Sequence, residues 1–145
     1  MRIQHAMSSP AVTVPATASV QDAAQHMRRS GAGAVFVVAD DNRLLGVVTD
    51  RDLVVRVLAR GMSARLRVDT VMTERPVAVD AGDDIMSAYR AMRAQRVLHL
   101  PVVSAGRLVG VVTFDELFRL SMRGLADPQG EEDSLWGLVA PFRGT

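Results

Sequence analysis

Two four-residue stretches carry the residues of this 145-residue chain best suited to chemistry. Thr49-Asp50-Arg51-Asp52 and Thr113-Phe114-Asp115-Glu116 each set a carboxylate three residues after a threonine. At a helix start that spacing closes a capping box, in which the threonine oxygen takes the third amide and the acid reaches back. The same carboxylate suits a ribose, whose two hydroxyls donate charge-assisted hydrogen bonds to it. Phosphate favours the positive end of a helix, where amides lack partners, and Arg51 beside Thr49 adds a cation. Spacing alone leaves the capping and ligand readings both open.

Other chemistries fail on inspection. The chain has no Cys, which excludes thiol catalysis, thiolate metal sites and disulfides. His5, His26 and His99 lie far apart and none has a metal-ligand spacing. Gly31-Ala32-Gly33-Ala34 lacks the third glycine of a dinucleotide fingerprint and precedes a strand rather than following one. Neither a Gly-Lys-Ser/Thr loop nor a Gly-x-Ser-x-Gly elbow occurs. Asp50 and Asp52 are close in sequence, but their helix positions direct them to different sides. The expectation is no catalytic residue, no catalytic cofactor, no metal site and no enzyme.

Composition narrows the class further. With 48% hydrophobic and 23% charged residues the chain reads as globular, and a net charge of +1 makes no electrostatic case for nucleic acid or membrane. All 17 basic residues are arginine, so an arginine carries less functional weight by its type alone. The run Arg56, Arg60, Arg65, Arg67 has no interleaved aromatics and reads as a solvated face or subunit contact. Neither a membrane-length apolar run nor a secretory leader is recognised, and the absence of Cys fits the expectation of a cytoplasmic protein.

The elements that must position the two stretches come from an internal repeat. Met7 onward and Met72 onward run in parallel about 65 residues apart, the register shifting to 64 near Asp41. Each unit opens with a short β-rich piece (Val12–Val14, Val77–Val79). A helical stripe follows: Val20, Ala23, Ala24 and Met27, then Ile85, Ala88, Tyr89 and Met92. Ser19 with Asp22 marks a helix start and Gly31 a stop. Hairpins come next, Val35–Val38 with Leu45–Val48 and Leu100–Val103 with Leu108–Val112, before final helices marked by Leu53, Val54, Val57 and Leu58 and by Leu117, Phe118, Ser121 and Met122. The order is β-α-β-β-α, twice, an α/β (α+β) chain.

Neither half buries both sheet faces and two helix stripes alone, so sheet is expected to pack on sheet about a pseudo-twofold axis. Residues 1–124 then form one domain, with motif 1 about 7–61 and motif 2 about 72–124, joined through Met62–Val71. Residues 125–145 form a tail whose Leu135-Trp136 suggests docking on the body or a dimer contact.

Two copies of Gly-Val-Val-Thr-x-x-acidic-Leu, each closing a hairpin, resemble the CBS-domain pair, or Bateman module, of the small stand-alone bacterial type. The similarity runs from Met7 to Gly124, and Leu98-His99-Leu100-Pro101-Val102-Val103 is similar to the family's central strand. The resemblance implies a non-catalytic sensor that binds an adenosine-containing ligand (AMP, ADP, ATP or S-adenosylmethionine) in clefts between the motifs. It also implies a homodimer that signals through its shape or through a regulated partner protein. Carried over residue by residue, Thr49 and Asp52 with Arg51 serve one cleft, and Thr113 with Glu116 the other. An adenine ring suits an apolar slot edged by backbone polar groups, for which Val12, Thr13, Val14, Val35, Val77 and Val79 are the candidate walls, with Pro101 and His99 on the central strand. His99 reads equally as a ligand contact and as a structural residue.

This chain departs from the family pattern at Glu116, one methylene longer than Asp, at Phe114, and at Phe36, where the family has proline. The expectation is that the Thr49–Asp52 cleft takes ligand and the other is weaker or empty. A ligand-free interaction protein is the alternative, and nucleic-acid binding a third.

Overall fold

The computed structural model describes residues 1–126, with side chains through Arg123. Its first half runs β1 (Thr13–Pro15), α1 (Val20–Ser30), β2 (Ala34–Val38), β3 (Leu44–Thr49) and α2, which starts as one α-turn (Asp50–Asp52) and continues as a π-helix (Leu53–Leu58). A 3-10 turn at Val68–Thr70 leads to β4 (Thr73–Glu74). The second half runs β5 (Val79–Asp80), α3 (Ile85–Gln95), β6 (His99–Ser104), β7 (Arg107–Thr113) and α4 (Phe114–Ala126). The β-α-β-β-α order and the α/β class are both present. The tail reading for Leu135-Trp136 lies outside the described residues.

Local chemistry explains the boundaries. The Ser19 hydroxyl accepts from the Asp22 amide at 3.0 Å while Asp22 accepts from the Ser19 amide at 3.1 Å, and Gly31 ends α1 in the left-handed conformation at φ 72°. Within α1, Val20 and Ala23 are buried and Met27 packs on them, but Ala24 is exposed, so the buried stripe is narrower than the spacing suggested. The α3 stripe is buried at all four positions. The π-turns of α2 are marked by Ala59 and Met62 amides bonding five residues back; Val57 lies inside, and Val54 and Leu58 face solvent. Along α4, Leu117 and Ser121 point inward and Phe118 and Met122 outward.

Each half has its own apolar core between sheet and helices. One gathers Val14, Val20, Val35, Val37, Val48 and Val57, the other Leu100, Val102, Val112 and Leu117 with the α3 stripe. The sheets run β1-β2-β3-β4 and β5-β6-β7; β1–β2 and β5–β6 pair in parallel and the hairpins antiparallel. Opposite faces of β2 and β6, carrying Phe36 and Pro101, are also buried, away from the helices. Halves meet where Asn42 and Leu108 exchange hydrogen bonds (3.0 and 2.6 Å) and Arg43 bridges Arg107, residues 64 apart in the repeat.

A reciprocal exchange escaped the sequence pattern. Thr73–Glu74, leading into motif 2, pairs with β3 of motif 1, and Ser8, leading into motif 1, pairs with Val111 of β7. Pairings of one or two residues leave no periodicity to detect. They do account for the glycines of the repeated motif: a Cβ on Gly46 would sit 2.9 Å from the Thr73 carbonyl oxygen, and one on Gly110 2.7 Å from that of Ser8.

Candidate functional site

Two clefts flank the pseudo-dyad. Cleft A, about 500 Å3, opens between the β3–α2 junction and the residues leading into β5 and β6. Cleft B, about 620 Å3, is its counterpart between the β7–α4 junction and the residues leading into β1 and β2. Either volume suits a small ligand.

The sequence candidates divide between them. Thr49, Arg51, Asp52, Val77 and Pro101 line cleft A, whereas Val12, Thr113 and Glu116 line cleft B, and His99 borders both. Val14, Val35 and Val79 line neither. Strand alternation turns Val35 toward the helices with Val37, and Val14 and Val79 join the same two cores, so these three are corrected from cleft wall to core. Thr13 is half-buried on β1 opposite Phe36 and likewise lines neither cleft. Mirrored positions supply the deep walls instead, Pro101 in cleft A and Phe36 in cleft B. Asp50, expected on another side from Asp52, also lines cleft A because the cleft wraps the first turn of α2.

Both threonine–acid pairs form capping boxes. The Thr49 amide donates to Asp52 Oδ2 at 2.8 Å and the Asp52 amide to Thr49 Oγ1 at 3.2 Å; in α4 the matching distances are 3.0 and 3.3 Å. Capping and ligand binding need not exclude each other, since a carboxylate has two oxygens and about four acceptor sites. What differs is the second oxygen. Glu116 Oε1 accepts the Ser8 hydroxyl, so both of its oxygens are engaged. Among the described residues, Asp52 Oδ1 has only the Arg56 guanidinium at 3.7 Å, a long and partly exposed ion pair. The extra methylene of Glu116 carries its oxygen to the N-terminal segment; Thr73, the counterpart of Ser8, lines cleft A.

The start of α2 does not offer free amides to a phosphate, contrary to expectation. The Asp50 amide donates to the Gly33 carbonyl (3.0 Å), Arg51 to Asp50 Oδ1 (2.8 Å), and Asp52 to Thr49. Positive charge comes from side chains: Arg75 and Arg96 line cleft A alongside Arg51, and sequence reasoning missed both. The signal was present in the repeat, where Arg96 stands at the place of Gly31. Val77 and Val97 of cleft A, and Leu98, which borders both clefts, are among the exposed large hydrophobic residues, Leu98 at 62% exposure.

His99 sits where the two clefts adjoin, its ring 3.3 Å from where a Gly33 Cβ would be. Burial holds its pKa below the ordinary value of 6.5, and Asp50, Asp115 and Glu116 oppose that shift.

Comparison with known proteins adds the following. The family described as CBS domain matches residues 3–59 and 68–123. Hypoxic response protein 1 of Mycobacterium tuberculosis is 37% identical over 98 residues, 67% of this chain and 68% of that protein. The CBS domain-containing protein YhcV of Bacillus subtilis is 30% identical over 115 residues, 79% of this chain and 81% of its own. A crystal structure of Hypoxic Response Protein I with two coordinated zinc ions superposes at a TM-score of 0.76 and 32% identity, covering 82% of this chain and 98% of that one. Among the described residues of this chain, no group of three or more His, Asp or Glu side chains is placed to hold a metal. The CBS domain protein PAE2072 from Pyrobaculum aerophilum, complexed with AMP, shares the fold at a TM-score of 0.79 and 24% identity, covering 97% and 99%.

Proposed function

The chain belongs to the CBS-domain family, and from that premise we propose that it is a non-catalytic, cytoplasmic sensor binding one adenosine-containing ligand per chain, in cleft A. The observation that carries this is the state of the two carboxylates. Asp52 keeps Oδ1 for a ribose diol while the capping box fixes its other oxygen, whereas Glu116 is spent on Thr113 and Ser8. The adenine ring lies against Val77, covering apolar surface that is otherwise open to water, with the buried Pro101 as the deep wall. The fold is one that in the Pyrobaculum protein holds AMP.

Signalling uses a homodimer. The helices α2 and α4 expose apolar residues at equivalent positions of the repeat, Val54 with Phe118 and Leu58 (73% exposed) with Met122. Such paired stripes suit a second copy, whose docking then responds to ligand at the adjoining start of α2. No helix among the described residues is long and apolar enough to cross a membrane.

Titration calorimetry with AMP, ADP, ATP and S-adenosylmethionine, beside sedimentation, tests the reading. One site per chain is expected, with Asp52→Ala weakening it at least about tenfold, the scale of one charge-assisted contact. Ligand at about 100 times its dissociation constant should add roughly 2.7 kcal/mol of stability. Two equal sites, binding indifferent to Asp52→Ala, or a monomer at working concentration would each remove part of the proposal. No binding by any adenosine compound would leave only an interaction protein.

A further inference from the structure

We infer that cleft A counts phosphates, selecting an adenosine di- or triphosphate over AMP and over S-adenosylmethionine; this rests on the ligand reading above and specifies its chemical class. The two clefts are the same scaffold with opposite charge. At three equivalent positions cleft A carries Arg51, Arg75 and Arg96 where cleft B carries Asp115, Pro10 and Gly31, and all six line their clefts. With Asp50 and Asp52 included, cleft A holds three guanidinium groups against two carboxylates. Among the described residues, cleft B holds Asp115 and Glu116 with no arginine in its lining.

An arginine-only basic complement makes any single arginine weak evidence, so placement has to carry the argument. Two of the three occupy backbone conformations that side chains avoid: φ is 48° at Arg75 and 53° at Arg96. Arg96 ends α3 as Gly31 ends α1, each amide bonding the carbonyl four residues back, at Met92 and Met27. Glycine takes that conformation without steric cost, and arginine does not. A guanidinium is therefore kept at the mouth of cleft A at the expense of backbone strain. Among the described residues, none of the three makes an ion pair. The amides at the start of α2 are already bonded, so anion recognition falls to these side chains. AMP brings about two negative charges and ATP about four; three guanidinium groups suit the longer chain. A sulfonium ligand brings the wrong sign.

The test is titration of adenosine, AMP, ADP, ATP and S-adenosylmethionine into the full-length chain, with chelator present so that no divalent cation screens the phosphates. ATP should bind at least about tenfold more tightly than AMP, and the gap should narrow at high salt. In Arg96→Gly, which adopts the residue cleft B uses at that place, the ATP-to-adenosine affinity ratio should fall about tenfold. Its melting temperature should not drop, because glycine relieves the strain; Arg75→Gly provides an independent second case. AMP and ATP binding within threefold of each other, tighter binding of S-adenosylmethionine, or an unchanged ratio in both variants would overturn phosphate selection while leaving an adenosine site in cleft A. Failure of every compound to bind would overturn both.

Discussion

Cleft A and cleft B start from one duplicated backbone, and the features they keep in common are those the backbone itself requires. Both have a threonine–acid capping box, a glycine pressed against the incoming segment, and a left-handed residue ending the preceding helix. What has diverged faces the open space: Pro101 against Phe36, Asp52 against Glu116, Arg96 against Gly31. Duplication thus supplies the crevice twice, but a ligand site only where the facing side chains leave donors and acceptors unspent. Changing those side chains in pairs measures how far the two copies have separated.

The largest effect is expected at the deep walls. Phe36 is almost wholly buried, so Phe36→Ala should cost about 3 kcal/mol or more through lost burial and a residual cavity. Pro101→Ala, at the mirrored place, removes far less volume and should cost about 1 kcal/mol, partly by loosening the unfolded chain. Urea midpoints give both values. Equal costs would mean that burying Phe36 adds no more to stability than burying Pro101 at the mirrored place.

A smaller and sharper comparison concerns the second carboxylate oxygen. Ser8→Ala removes the hydroxyl that occupies Glu116 Oε1, and Glu116→Asp withdraws the oxygen by one methylene while keeping the capping box. Either change should cost no more than about 1 kcal/mol, since the contact is exposed. Either should also add a second, weaker step to the adenosine titration. Cleft B has the volume for it, so a persistent single step would show that its negative charge, rather than Ser8, keeps ligand out.

How much of this was legible beforehand follows the same division. Caps, helix stripes and hairpins repeat at short range, so Ser19, Gly31, the α3 stripe and the element order were readable from residue spacing. The wall assignments failed at Val14, Val35 and Val79 because β1, β2 and β5 are buried on their helix side, and an all-apolar run hides which residues face the cleft. Ser8 and Thr73 were invisible because their pairings are brief and long-range, each reaching into the other half's sheet. Arg96 was readable in principle by aligning the repeat, but arginine abundance masked it. Val54 and Leu58 marked a helix correctly, but their spacing did not show which side is buried: like their counterparts Phe118 and Met122 on the α-helical α4, they face solvent.

The smallest expected effect lies on the dyad, where the copies differ most simply: His99 in one, Ala34 in the other. Burial favours the neutral ring, and the carboxylates of Asp50 and Asp115, at the starts of α2 and α4, and of Glu116 one residue on, oppose it without prevailing. Because the folded value is depressed, the unfolded chain binds the extra proton first as pH falls. The stability contributed by the neutral ring is therefore complete above about pH 6.5 and is lost progressively below it, toward the lowered folded value. Urea midpoints measured from pH 7.5 to 5 should fall along that window in the parent and stay flatter in His99→Gln. A slope unchanged by the substitution would leave His99 a packing residue that both clefts merely share, with no part in the pH dependence.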